Sequence, residues 1–232
     1  MNNFINLINI SKKYYNNKSI KVLNNLNFTF EHGKIYSIIG PSGSGKSTLL
    51  NILSLIDSPT SGYIKILNNK INFSNKINND QIRSEKIGII YQDKNLLNDF
   101  TALENVYFPK LLLTNNKKQS LNEARRIIKK LGLSSRINHY PSELSGGECQ
   151  RIAISRALIN EPQIILADEP TGNLDIENAK EVFKLLFDLK NKNRVIIFAT
   201  HNRYFANMAD CIIQMIGGKM KIINARIGQK FL

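Results

Sequence analysis

The stretch GPSGSGKST, running from Gly40 to Thr48, follows a β-prone, apolar-rich run, Lys34 to Ile39, and opens a helix-like run, Lys46 to Leu55. Its spacing fits GxxxxGK[ST], with Gly40, Gly45, Lys46 and Ser47 at the fixed positions. In a strand-loop-helix context such a loop turns its backbone N–H groups and a helix N-terminus toward anionic phosphates. Farther along, LSGGECQR, Leu144 to Arg151, places a second small-residue turn at the head of another helix. A domain with one phosphate pocket does not need that device twice, unless the second copy serves the pocket of a partner subunit.

The 232 residues suffice for one domain with a substantial core and room for an inserted subdomain. The longest apolar runs, around Ile164 to Ala167 and Val195 to Ala199, are far too short to span a bilayer. The start, MNNFINLINISKK, has no basic segment leading into an unbroken apolar stretch, so no secretory signal is expected. Cys149 and Cys211 lack metal or redox spacing, and the three histidines are scattered, which fits a reducing cytoplasm without a structural metal. The net charge of +14 raises a nucleic-acid or anionic-membrane partner. The lysines are spread rather than massed and do not alternate with aromatics, so no nucleic acid is expected. A solvated basic surface near acidic lipid is the most the charge supports.

Short β-prone stretches at Ile35–Ile39, Lys86–Tyr91, Gln163–Asp168, Val195–Thr200 and Ile212–Met215 alternate with helical patterning. That alternation predicts an α/β fold with a largely parallel, covered sheet. Ala179, Val182, Phe183 and Leu186 share one helix face, with Lys180, Glu181, Lys184 and Asp188 opposite. Ile5–Ile10 and Val22–Phe30 read as extra strands flanking that core, and Gly217–Gly218 as a hairpin turn. Asn68–Asn79 and Asn115–Lys118 read as surface loops. Between Asp93 and Asn160 strand signals vanish; Glu123–Leu131, closed by Gly132, and Glu148–Leu158 are helical, predicting a helical subdomain inserted between two strands.

With both motifs in one chain, the sequence resembles the ABC-type ATPases along nearly its whole length. The resemblance implies a P-loop NTPase (RecA-like) core over approximately residues 1–92 and 161–232, flanking antiparallel strands, and a helical subdomain over 93–160 that carries the signature turn. It implies ATP and Mg²⁺ as ligands, with Gly40, Pro41, Ser42, Gly43, Ser44, Gly45, Lys46, Ser47 and Thr48 around the phosphates.

IILADEP, residues 164–170, sets two carboxylates at the end of an apolar strand, where neighbours point to opposite sides and take different roles. Asp168, with the Ser47 hydroxyl, is the expected Mg²⁺ holder, and Glu169 is placed to polarise the attacking water. An isolated histidine at a strand end is ordinarily a plain polar residue, and His32 and His139 are read so. His201, ending VIIFATH beyond the acidic strand, resembles the family's γ-phosphate sensor. Gln92, after IGIIY, matches the family glutamine that reaches Mg²⁺ and the membrane partner's signal. Asp175 lies in TGNLD, whose Gly172–Asp175 matches the loop crossing to the other subunit. Tyr14, with Tyr15 beside it, is the expected adenine-stacking aromatic. Ser145, Gly146 and Gly147 offer a hydroxyl and N–H groups without bulk, suited to the γ-phosphate of a second copy, which implies a two-fold dimer around two ATP. Cys149 stands where many relatives carry Arg or Gln.

PTSG at 59–62, LLNDFTALENV at 96–106, PSELSGGE at 141–148 and LADEPTGNLD at 166–175 are similar to the ATPase of lipoprotein-releasing systems. That resemblance implies a peripheral protein at the cytoplasmic face of the bacterial inner membrane, working with two integral membrane subunits. Macrolide-exporter and cell-division (FtsE-type) ATPases share most of these motifs and remain alternatives. A soluble, nucleic-acid-associated ABC ATPase would carry paired cassettes or a long coiled-coil insertion, and neither is present. Leu96, Leu97, Phe100 and Phe108 are the expected docking patch for a membrane partner.

Overall fold

A computed structural model describes residues 3–16 and 18–225. The first two residues of the amino-terminal stretch, and residues 226–232 of the expected core, lie outside the described residues. Two long strands, β1 (Asn3–Asn16) and β2 (Lys18–Glu31), form an antiparallel ribbon that extends well past the segments expected from sequence. The ribbon can run so far because Asn9 and Asn25, at φ +53 and +50, occupy irregular points along it. Asn tolerates the left-handed region there better than other side chains. With β4 (Ser61–Ile66) and β5 (Asn69–Lys70) they make a four-stranded sheet in the order β2-β1-β4-β5.

The second sheet has the order β10-β9-β3-β8-β7-β6, built from β3 (Ile35–Ile39), β6 (Ile87–Ile90), β7 (Ile164–Asp168), β8 (Val195–Ala199), β9 (Cys211–Ile216) and β10 (Lys219–Ala225). All neighbouring pairs are parallel except the β9–β10 hairpin, which turns at Gly217–Gly218 as the sequence predicts. The inner strands β3, β6, β7 and β8 are covered on both faces and mostly apolar, whereas β10 at the edge is largely exposed and carries Lys219 and Lys221. Ile164 and Leu166 of β7 join the core between the sheets, while Ile165 and Ala167 join the core on the opposite face, with Val182, Phe183 and Leu186 of α6 (Ile176–Asp188). β8 divides in the same way, Val195, Ile197 and Ala199 against Ile196 and Phe198.

The remaining helices are α1 (Lys46–Leu53), α2 (Lys76–Lys86), α3 (Ala102–Thr114), α4 (Lys117–Lys130), α5 (Gly146–Leu158) and α7 (Arg203–Ala206). Helices α3, α4 and α5 lie between β6 and β7 in the chain and share a separate apolar cluster that includes Val106, Ala124, Ile128 and Ile152. This is the inserted α-helical subdomain. The Asn-rich runs expected as loops are partly helix starts. Asn75 caps α2 by accepting from the Asn78 N–H, and Asn116 caps α4 by accepting from the Gln119 N–H. An Asn side chain favours the N-cap as much as a loop, and composition alone does not separate the two.

Candidate functional site

The sheet order assembles the site. In a parallel sheet the carboxyl ends of neighbouring strands lie side by side, about 4.8 Å apart. The order β3-β8-β7-β6 therefore lines up the residues at and just beyond the carboxyl end of each strand: the Gly40–Gly45 loop, Thr200–His201, Asp168–Glu169 and Gln92. A cavity of about 560 Å³ opens there, walled by Gly40, Gly45, Gln92, Asp168, Glu169 and His201 together with Ser42, Gly43, Lys46, Ser47, Thr48 and Val22.

Gly45 occupies the N-cap of α1 at φ +99, and a Cβ there would stand 2.8 Å from Leu23 Cδ2 and 3.1 Å from the Val22 carbonyl oxygen. Only glycine fits, and with no side-chain cap the first-turn N–H groups of α1 are left to face the cavity. Lys46 donates from Nζ to the Gly40 carbonyl at 2.9 Å and the Pro41 carbonyl at 3.1 Å, so its charge sits over the loop. Ser44 is buried, and its Oγ has no hydrogen-bond partner among the described residues. The arrangement is a cluster of donors with one fixed cation, suited to an anion of several oxygens.

At the end of β7, burial pushes the Asp168 carboxyl up; a hydrogen bond from Ser47 and the charge of Lys46 act against this, and neighbouring Glu169 adds to it. Glu169 is not the next residue of a regular strand, as simple alternation predicts. Its φ is +43, and its N–H still donates to the Ala199 carbonyl at 3.0 Å. The backbone turns at Glu169, so the two carboxylates diverge through a left-handed residue rather than through strand pleating. Glu169 Oε2 lies 2.9 Å from His201 Nδ1 and accepts from the His201 N–H at 3.3 Å.

Several expected residues stand elsewhere. Ser145 caps α5 in a capping box: its Oγ accepts from the Glu148 N–H, while Glu148 accepts from the Ser145 N–H at 2.8 Å. Ser145 and Gly146 are exposed, and none of Ser145, Gly146 or Gly147 lines the cavity. A Cβ on Gly147 would collide with the Asn178 side chain. Asp175 caps α6 and accepts from the Asn178 N–H and side-chain amide, also away from the cavity. Tyr14 does not line it either. Its hydroxyl donates to Asp57 at 2.8 Å, and its ring sits under the Lys12 ammonium; the ribbon residue in the cavity wall is Val22.

The chain matches the ABC transporter family over residues 23–172. It is 45% identical to the lipoprotein-releasing system ATP-binding protein LolD of Rickettsia bellii over 95% of this chain and 99% of that protein. This chain belongs to the ABC transporter family. The protein of the same name from Cytophaga hutchinsonii is 44% identical over 86% of this chain and 92% of its own length. The ABC cassette MJ0796, solved as a dimer in a post-hydrolysis state bound to ADP and Pi, superposes with a TM-score of 0.90 at 36% identity, covering 97% of this chain and all of that one.

In this ABC ATPase two residues without a motif of their own hold the segment between Gln92 and α3. Arg156 of α5 donates to the Lys94 carbonyl at 2.7 Å and the Asn95 carbonyl at 2.6 Å, fastening two residues at φ +52 and +47. Asn105, 1% exposed, donates to the carbonyls of Leu97, Phe100 and Thr101 and accepts from the Leu97 N–H. The only sign of this in the sequence is an Asn on the otherwise apolar face of ALENVYF. Of the expected docking patch, Leu97 and Phe100 are exposed, whereas Leu96 and Phe108 pack partly on the helical core. Leu97, Phe108, Leu112 and Leu113 line a groove of about 920 Å³ that runs between α2 and α3.

Proposed function

We propose that this ABC ATPase is the ATP-hydrolysing subunit of an inner-membrane complex that releases outer-membrane-directed lipoproteins. The observation that carries the cargo assignment is the near-complete match, at 45% identity, to a lipoprotein-releasing system ATP-binding protein. In this reading two integral membrane subunits hold the chain at the cytoplasmic face of the membrane. Residues 1–92 and 161–232 form its nucleotide-binding core and 93–160 its helical subdomain.

Each role rests on the chemistry of its group. Loop N–H groups and Lys46 hold the ATP phosphates, whose charge they offset without reorganising. Glu169 takes a proton from the attacking water as the γ-phosphate bond breaks, and His201, hydrogen-bonded to Glu169, fixes its direction and faces the γ-phosphate. A half-buried carboxyl bonded to a serine hydroxyl suits a hard, oxygen-preferring cation. Asp168, Ser47 and Gln92 would hold Mg²⁺, which when bound neutralises charge on the phosphate oxygens. Ser145, Gly146 and Gly147 are outside their own chain's cavity, and this supports their service to the nucleotide of a second copy, with Asp175 in the crossing loop. Tyr14 is assigned to adenine by its place on the ribbon, close to Thr48.

The groove lined by Leu97 is the proposed seat of a helix from the membrane partner, apolar along Leu97, Phe108, Leu112 and Leu113 and polar along its α2 wall, as an amphipathic helix requires. The test is reconstitution in vesicles of this chain with the membrane proteins that co-purify with it. ATP should drive lipoprotein into solution. Stimulated ATPase that releases no lipoprotein but moves another cargo would overturn the assignment.

A further inference from the structure

The end of α3 and the start of α4 form a corner that the catalytic site does not use. Leu112 is 87% exposed and Leu113 38% exposed, one turn beyond Pro109, and both line the rim of the groove. Single exposed apolar residues are ordinary. Here they adjoin KLLLTNNKK, residues 110–118, which holds three lysines and no acid. Lys117 and Lys118 are exposed, and neither forms an ion pair among the described residues.

The nearby acids are already matched. Glu123, the one acid of α4, is held below its ordinary range first by its hydrogen bond with Arg126 and further by Lys110 and Lys130. On α2, Asp80 pairs with Arg83 at 2.7 Å, and Glu85 lies 4.0 Å from Lys86 and accepts from Gln81.

We propose that this corner, Leu112, Leu113, Lys117 and Lys118, rests on an anionic phospholipid surface, with Leu112 inserted among the headgroups. The proposal rests on the reading of the groove as the membrane partner's seat, since a helix descending from the bilayer into the groove brings its rim to the lipid. Lysines attract anionic headgroups, and a protruding leucine gains by leaving water at the interface. A nucleic acid would use the same lysines and leave Leu112 solvated.

The experiment is flotation of the full chain with vesicles of phosphatidylethanolamine and phosphatidylglycerol, against vesicles of phosphatidylcholine alone. The chain should float with the anionic vesicles only, and less so at high salt. Removing each lysine from an anionic surface costs about fivefold in binding, so Lys117→Gln with Lys118→Gln should weaken flotation roughly 25-fold. Leu112→Ser should weaken it about tenfold or more. Basal ATPase should be unchanged in the lysine pair. Lys219→Gln with Lys221→Gln, on exposed β10 positions, should bind as wild type. Equal loss in that control pair would show bulk charge instead and overturn the proposal, as would full binding by Leu112→Ser or tighter binding to single-stranded DNA than to anionic vesicles. The groove is tested apart: Leu97→Asp should lose stimulation by the partner and keep vesicle binding. If wild type fails to float while partner stimulation persists, the corner proposal falls and the groove reading stands.

Discussion

Asp168 and Glu169 adjoin in sequence and differ in surroundings: one is half-buried beside Ser47, the other turns through a left-handed backbone to meet His201. Replacing Glu169 with Gln keeps the shape and removes the basicity. Turnover, measured as phosphate release, should fall about 10²- to 10⁴-fold, the loss typical of a general base, while ATP binding holds and ATP-bound dimers accumulate. Wild-type turnover at fixed salt and partner would end the assignment. Lys46, Gln92, Asp168 and His201 are legible in the sequence because each lies at or beyond the end of a β-prone run whose parallel neighbours place it. Val22 and Arg156 are not, because each acts through a partner distant in sequence, Gly45 for the first and the carbonyls of Lys94 and Asn95 for the second; Asn105 ties the nearby 97–101 turn and shows in the sequence only as one polar residue on an apolar helix face.

Among the elements, helix starts matter more than helix interiors. The starts of α2 and α4 look like loops in the sequence because their caps are asparagines within Asn-rich runs, whereas α6 is legible from its apolar face alone. The head of α5 combines a cap with an ion pair. Glu148 is lowered from 4.5 to about 2, first by the Arg136 hydrogen bond and then by the Ser145 N–H. A carboxylate depressed on folding stabilises fully above its unfolded value and ceases to do so as pH falls through its folded one. The melting temperature of Glu148→Ala should therefore lie about 2–4 °C below wild type at neutral pH, from a cap contribution of about 1 kcal/mol. That gap should be constant above about pH 4.5 and close toward pH 2. A gap unchanged at low pH would show that packing rather than charge holds α5. Leu97 offers an exposed side chain on a turn fixed by Asn105. Leu97→Asp should fold and bind ATP yet lose stimulation by the membrane partner and block lipoprotein release. Circular dichroism and nucleotide binding separate that outcome from unfolding, which would place Leu97 in the core, and full release would move the docking surface elsewhere.

At the scale of the whole molecule, one chain has a phosphate cavity and, outside it, a second small-residue turn at the head of α5. In the proposed dimer two copies complete each other's sites, the signature turn of one closing the cavity of its partner. Lys46→Ala disables a cavity and Ser145→Arg blocks a signature turn, so each variant alone should be close to inactive. In a mixed dimer one site combines both defects, and the other joins the intact Lys46 of one chain to the intact Ser145 of its partner. Measured by phosphate release on mixing, with heterodimers verified by differently tagged chains, the account predicts partial recovery of ATPase activity from two dead components. A mixture that forms heterodimers and stays as inactive as its parts would contradict it.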